Sequence, residues 1–133
     1  MFESMGVDAS QPEWRERCRS HLEQQLREGI LIGTVVDHPD ATGLVASALA
    51  ELSTKIPAPS RPTGSFAYLS SVSTDPAWRR RGMARAAVSL LLDELRRRGV
   101  RRVELHATPG AEPLYRSLGF LPRTGGKELR LVL

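Results

Sequence analysis

The stretch Asp75-Pro76-Ala77-Trp78-Arg79-Arg80-Arg81-Gly82-Met83-Ala84 separates two segments of opposite habit. Before it, Ser65–Thr74 is uncharged and rich in strand formers. After it, Gly82–Arg98 repeats its apolar residues with helical spacing. A basic turn that joins the end of a strand to the start of a helix is a place for an anion. The first N–H groups of a helix lack internal partners, the helix dipole favours negative charge there, and Gly82 lets a ligand approach the backbone closely. A diphosphate is the natural guest. The spacing Arg79-x-x-Gly82-x-Ala84 is not a Walker loop, which ends in Gly-Lys-Ser/Thr, and it lacks the first glycine of the dinucleotide fingerprint.

A second patterned segment follows at Ala111-Glu112-Pro113-Leu114-Tyr115-Arg116-Ser117-Leu118-Gly119-Phe120. The first motif resembles the Arg/Gln-x-x-Gly-x-Gly/Ala acyl-CoA loop of the GNAT N-acetyltransferase superfamily, and the second resembles that family's Ala-x-x-Leu-Tyr-x-x-x-Gly-Phe segment. They stand in the family's order with a helix and a strand between them. The likeness runs over residues 30–133 in the order of elements, and its specific residues lie within 68–120.

Outward from these motifs, the rest of the chain reads as follows. Met1, Phe2 and Met5 fall on one helical face with Gly6 as a stop, like the tail of a helix. The family would place a first strand and most of that helix upstream. A naturally short chain, a start at an internal methionine, or an edge strand borrowed from a partner would each account for the difference. Ser10 or Gln11 before Pro12 starts a helix whose buried stripe is Trp14, Cys18, Leu22 and Leu26, and Gly29 ends it. Ile30–Asp37 and Gly43–Leu52 read as an antiparallel hairpin around His38-Pro39-Asp40. Residues 55–64 carry three prolines and form a loop that cannot continue a sheet: an exposed connector, or a specificity loop at the substrate end.

In the central strand, Phe66, Tyr68, Ser70, Val72 and Thr74 alternate with Ala67, Leu69, Ser71 and Ser73. The helix after the basic turn buries Ala84, Val88, Leu91, Leu92 and Leu95 and stops at Gly99. Val100–Ala107 is the next strand, with Glu104 and His106 on one face. The short Tyr115 helix ends at Gly119, so that Phe120 should contact Tyr115. Lys127–Leu133 alternates as a final strand after a turn at Thr124-Gly125-Gly126. The expected fold is mixed α/β: one twisted, mainly antiparallel sheet flanked by helices, lacking the family's first strand, in a single domain over residues 1–133.

Hydrophobic residues make up 41% of the chain and charged residues 26%, as in ordinary globular proteins. Apolar runs are too short to cross a bilayer, and the first residues lack the pattern of a signal peptide, so the expectation is a cytoplasmic protein with no membrane partner. Cys18 is the single cysteine and cannot form an internal disulfide. Lys and Arg number 19 against 15 Asp and Glu, which raises the question of a polyanion partner. Arg96–Arg98 complement the end of a helix dipole, leaving only Arg79–Arg81 where an anion docks. The two Trp, two Tyr and three Phe offer no evident stacking platform, so nucleic acid is the third-ranked partner.

The resemblance implies an enzyme that transfers an acetyl group directly from acetyl-CoA to a primary amine of a small molecule or peptide, with no metal. It assigns Val72, Ser73 and Thr74 to the pantetheine arm through their backbone, and a backbone N–H near Val72 or Ser73 to the carbonyl oxygen. It assigns the backbone of Arg80, Arg81, Gly82, Met83 and Ala84 to the diphosphate, with Arg79 and Arg81 adding charge. It makes Tyr115 the general acid for the departing thiolate, although the same tyrosine also reads as a core residue packed on Phe120. Glu51, Glu104, Asp75 and His106 are general-base candidates by type, and base catalysis through water is the other route. Thr108, Pro109 and Gly110 stand where many members have an asparagine. The rival reading is a non-catalytic acyl-CoA-binding regulatory module. An unpaired sheet edge would favour a homodimer.

Overall fold

The computed structural model describes residues 9–126 and 129–133. The expected helix tail at Met1–Gly6 lies outside the described residues. Helix α1 (Pro12–Arg27) leads through Gly29 into strands β1 (Leu31–Asp37), β2 (Leu44–Thr54) and β3 (Ser65–Thr74). A one-turn 3-10 helix (Pro76–Trp78) precedes helix α2 (Met83–Arg97), which is followed by strand β4 (Val103–Leu105) and helix α3 (Glu112–Ser117). The strands form one sheet in the order β1-β2-β3-β4. The first three are antiparallel neighbours and the last pair is parallel. The expected mixed α/β fold with a mainly antiparallel sheet is therefore present.

Helix α2 covers one face of the sheet. Its Ala87, Val88, Leu91, Leu92 and Leu95 pack on Ile32, Ala46, Ala48, Ala50, Ala67 and Leu69. The small side chains of β2 let the helix approach closely. Leu91 and Leu95 are essentially sealed from water, and each contributes about 2 kcal/mol by leaving it. Across the core, Thr34 Oγ1 donates to the Ala87 carbonyl at 2.6 Å, which ties β1 to α2.

Helix α1 lies against β1 on its other side. Trp14, Cys18 and Leu22 are half-buried there, but Leu26 is 50% exposed and no residue of α1 is fully buried, so the expected buried stripe is shallower and shorter than its spacing suggests. The helix rests on one strand at the margin of the sheet, and a single strand cannot enclose it.

Three expectations change on contact with the structure. The alternation along β3 is interrupted: Leu49 pairs with Ser71 and Ala50 with Leu69, leaving Ser70 as an extra residue. Val72 therefore packs on the α2-side cluster with Ala67 and Leu69, instead of sharing a face with Phe66 and Tyr68. The strand expected over Val100–Ala107 is regular only at Val103–Leu105, because β3 supplies it with a partner only that far. Of the expected final strand, Lys127 and Glu128 lie outside the described residues. Leu129–Leu133 is not in a strand, and Leu129, Leu131, Val132 and Leu133 are exposed, since alternation makes a strand only where a ladder receives it.

The proline-rich segment is the expected exposed connector, and it is ordered. Lys55 N–H donates to the Gly64 carbonyl, Ala58 and Arg61 form an isolated bridge, and Arg102 donates to the Ser60 carbonyl at 3.0 Å. It leaves β3 at Ser65, the end of the strand opposite the basic turn.

Candidate active site

Two strands that part company make the cleft. The parallel ladder joins Ala67–Leu69 to Val103–Leu105, with Ala67 N–H donating to the Arg102 carbonyl at 2.9 Å. Beyond Leu69, β3 follows β2 alone as far as Thr74, opposite Ala46. Among the described residues, backbone groups of Ser70–Thr74 that point away from β2 thus have no strand on their other side. The bulge at Ser70 coincides with this divergence.

The turn after β3 is shaped by its side chains. Asp75 N–H continues the ladder by donating to the Val45 carbonyl at 2.8 Å, and Asp75 Oδ1 accepts from Ala77 N–H at 2.8 Å. The chain then passes through two left-handed residues, Arg80 (φ 64°) and Gly82 (φ 77°), before α2 begins. Gly82 is the N-cap and offers no side chain to the helix; the first closing bond runs from Ala86 N–H to its carbonyl at 3.0 Å. The leading N–H groups of α2 therefore face outward with no capping side chain. A Cβ built on Gly82 would meet no protein atom within 4 Å. The space in front of the helix is open.

The arginines are less free than the sequence suggests. Arg79 Nε donates to the Thr74 carbonyl at 3.4 Å, and the Arg81 guanidinium lies 5.0 Å from the Trp78 ring centre. Trp78 also meets His38 edge-to-face at 5.1 Å, which fastens the basic turn to the β1–β2 hairpin. Nothing in the spacing of Trp78 or His38 signals this stack, because it joins residues far apart in sequence.

Helix α3 closes the arrangement. Phe120 N–H donates to the Tyr115 carbonyl and Gly119 N–H to the Arg116 carbonyl, both at 3.0 Å, with Gly119 at φ 95°. The rings of Tyr115 and Phe120 meet edge-to-face at 5.8 Å, as the capping pattern requires. Tyr115 is 8% exposed and belongs to the core cluster on which Val72, Met83, Leu105 and Ala107 also pack. Two of these, Val72 and Met83, are among the expected cofactor residues. The Tyr115 hydroxyl makes no hydrogen bond to a described residue, and burial pushes its pKa above the ordinary phenol value.

The base candidates separate by their surroundings. Glu104 accepts from Lys55 Nζ at 2.8 Å and has Arg102 at 3.9 Å; the hydrogen bond from Lys55 holds its carboxyl below the usual range, which makes it a weak base. Asp75 is occupied in capping the 3-10 turn. His106 is exposed and already engaged. Among the described residues, Glu51 has His21 beside it at 4.0 Å, and its strand neighbour is Tyr68.

Comparison with known proteins agrees with this fold. A family model described as the GNAT acetyltransferase family matches residues 4–120. The ribosomal protein bS18-alanine N-acetyltransferase of Escherichia coli is 34% identical over an alignment 79 residues long that covers 50% of this chain and 53% of that protein. The chain thus matches about half the length of this curated relative.

Among solved structures, a predicted acetyltransferase with acetyl-CoA from Clostridium acetobutylicum superposes with a TM-score of 0.82 at 21% identity, covering 97% of this chain and 82% of the other. A GCN5-related N-acetyltransferase from Ralstonia eutropha superposes at 0.80 with 28% identity, covering 98% and 85%.

Proposed function

Because the chain belongs to the GNAT acetyltransferase family, we propose that it transfers an acetyl group from acetyl-CoA to a primary amine by direct attack within the β3–β4 cleft. The observation that carries this reading is the opening of the sheet beyond Leu69 beside a helix that begins with an uncapped glycine. Acetyl-CoA supplies the thioester. The edge of Val72–Thr74 binds its amide-rich arm as a strand would, and the N–H groups at Gly82, Met83 and Ala84, with Arg80 and Arg81 in the preceding turn, receive the diphosphate. Arg79 and Arg81 add positive charge from the rim of the turn. The relative that modifies a ribosomal protein suggests a peptide amine as one acceptor class to assay beside small amines.

In the transfer, the amine nitrogen bonds to the acetyl carbon and the carbon–sulfur bond breaks. The proton for the departing sulfur comes from the Tyr115 hydroxyl, which is regenerated from solvent. A phenol whose pKa is pushed up by burial stays protonated at neutral pH, as an acid must. With Glu104 lowered by Lys55, removal of the amine proton falls to water, with Glu51 as the least committed carboxylate nearby.

Calorimetric titration with acetyl-CoA, beside free CoA and ADP, tests the cleft without knowledge of the acceptor. Micromolar-class binding is expected. Tyr115→Phe should bind acetyl-CoA normally and lower kcat against any accepted amine by about 100-fold or more. Normal binding with no turnover on an amine panel would instead support a non-catalytic acyl-CoA module.

A further inference from the structure

We propose that Arg85 is a positioning residue: through Ser117 it sets the short helix α3, and with it the Tyr115 hydroxyl, against the end of α2 proposed to receive the diphosphate. The inference rests on the reading of Tyr115 as the acid. Arg85 lies in the first turn of α2. Its Nη1 donates to Ser117 Oγ, and Ser117 Oγ donates to the Leu114 carbonyl at 2.6 Å. A hydroxyl has one proton to give. With that proton spent inside α3, the Ser117 oxygen is left as an acceptor, and the guanidinium supplies the donor. Leu114 and Ser117 stand on either side of Tyr115, so this relay grips the turn that carries the phenol.

α3 needs such a hold. It has six residues, too few to persist on its own hydrogen bonds. The bond from Arg116 to Glu112, at 2.8 Å, stays within the helix, and the backbone bonds at its ends reach only Thr108 and Ala111 ahead of it and Leu118, Gly119 and Phe120 behind. Among the described residues, the Arg85–Ser117 bond is the one hydrogen bond from α3 to another helix or strand. Tyr115 is the buried residue of α3. Apolar contact of this kind has no direction and lets a short helix turn a little about its axis, whereas a hydrogen bond is directional. Small turns matter here, because an acid works only within hydrogen-bond reach of the group it protonates. The arginines at the end of α2 and within α3 are matched by carboxylates: Arg96 by Asp93, Arg97 and Arg98 by Glu94, and Arg116 by Glu112. Arg85 is aimed instead at a neutral hydroxyl on the neighbouring helix.

Arg85 and Ser117 are both exposed, so Arg85→Ala and Ser117→Ala break the tie without opening the core. Each should leave acetyl-CoA affinity in calorimetry within about twofold and lower kcat against an accepted amine about tenfold. The double variant should lose no more than either single one, because the same tie is broken in all three. Ser117→Ala keeps the guanidinium, so equal losses separate the tie from the charge. Ser117→Thr keeps the hydroxyl and should restore most of the rate. In a Tyr115→Phe background, Arg85→Ala should cost nothing more. A readout free of turnover is fluorine NMR of the whole chain labelled with 3-fluorotyrosine, in which Tyr68 and Tyr115 are the two signals. With acetyl-CoA bound, the Tyr115 signal should shift or broaden in both alanine variants while that of Tyr68 stays in place. An unmoved Tyr115 signal or additive losses in kcat would overturn the proposal, and so would a loss confined to acetyl-CoA affinity, which would make Arg85 a phosphate ligand. Full turnover by Tyr115→Phe would refute the acid reading itself.

Discussion

Gly82 shows how little chemistry the proposed binding residue needs. Its φ of 77° lies where side chains are strained, and nothing in the protein occupies the position its Cβ would take. Gly82→Val therefore meets a backbone cost and no clash. It should lower folding stability by about 1–2 kcal/mol in urea titrations, and weaken acetyl-CoA further by filling the space before α2. Arg79→Ala and Arg81→Ala should weaken binding less in the same calorimetric assay, since both guanidinium groups already have partners within the protein. Tyr115 is the opposite case, with both roles in one side chain. Its ring completes the α3 cap on Phe120 while its hydroxyl makes no hydrogen bond to a described residue. The core reading and the acid reading of this tyrosine do not compete.

At the scale of elements, the helices were the most legible. α2 carries its stripe within the 3.6-residue period, and Gly29, Gly99 and Gly119 each follow a helix end with the same paired carbonyl bonds. The hairpin and the central strand followed from β-branched runs and turn residues. The bulge at Ser70 was not legible, because three serines among Ser70–Ser73 make either phase of the alternation acceptable. The end of β4 was hidden for another reason: where a strand stops depends on its neighbour, and β3 turns away.

The attachment of the 55–64 connector to β4 was equally invisible, since it rests on Lys55 and Glu104, far apart in sequence and 2.8 Å apart in space. The carboxyl of Glu104 is held below the unfolded value of 4.5. Its contribution is therefore present above that value and disappears as pH falls through the folded one. Lys55 is 42% exposed, so solvent screening limits the pair to about 1 kcal/mol or less. Glu104→Gln should lower the urea midpoint at pH 7, and the difference from the unchanged protein should shrink as pH falls below 4.5.

For the whole molecule, α2 packs one face of the sheet and α1 touches chiefly β1. Among the described residues, no helix is long and apolar enough to cross a membrane.

The connectivity of the sheet also bears on how the cleft comes into being. β1, β2 and β3 are joined through residues 38–43 and 55–64, whereas β4 reaches its place only after residues 75–102, which include α2. Loop closure favours the shorter connections, so the three-strand meander can form early and the parallel pair late. The walls of the cleft thus belong to different stages of folding. A ligand held between them has nothing to grip until the last strand arrives, so saturating acetyl-CoA should slow unfolding in stopped-flow measurements and leave the refolding rate nearly unchanged.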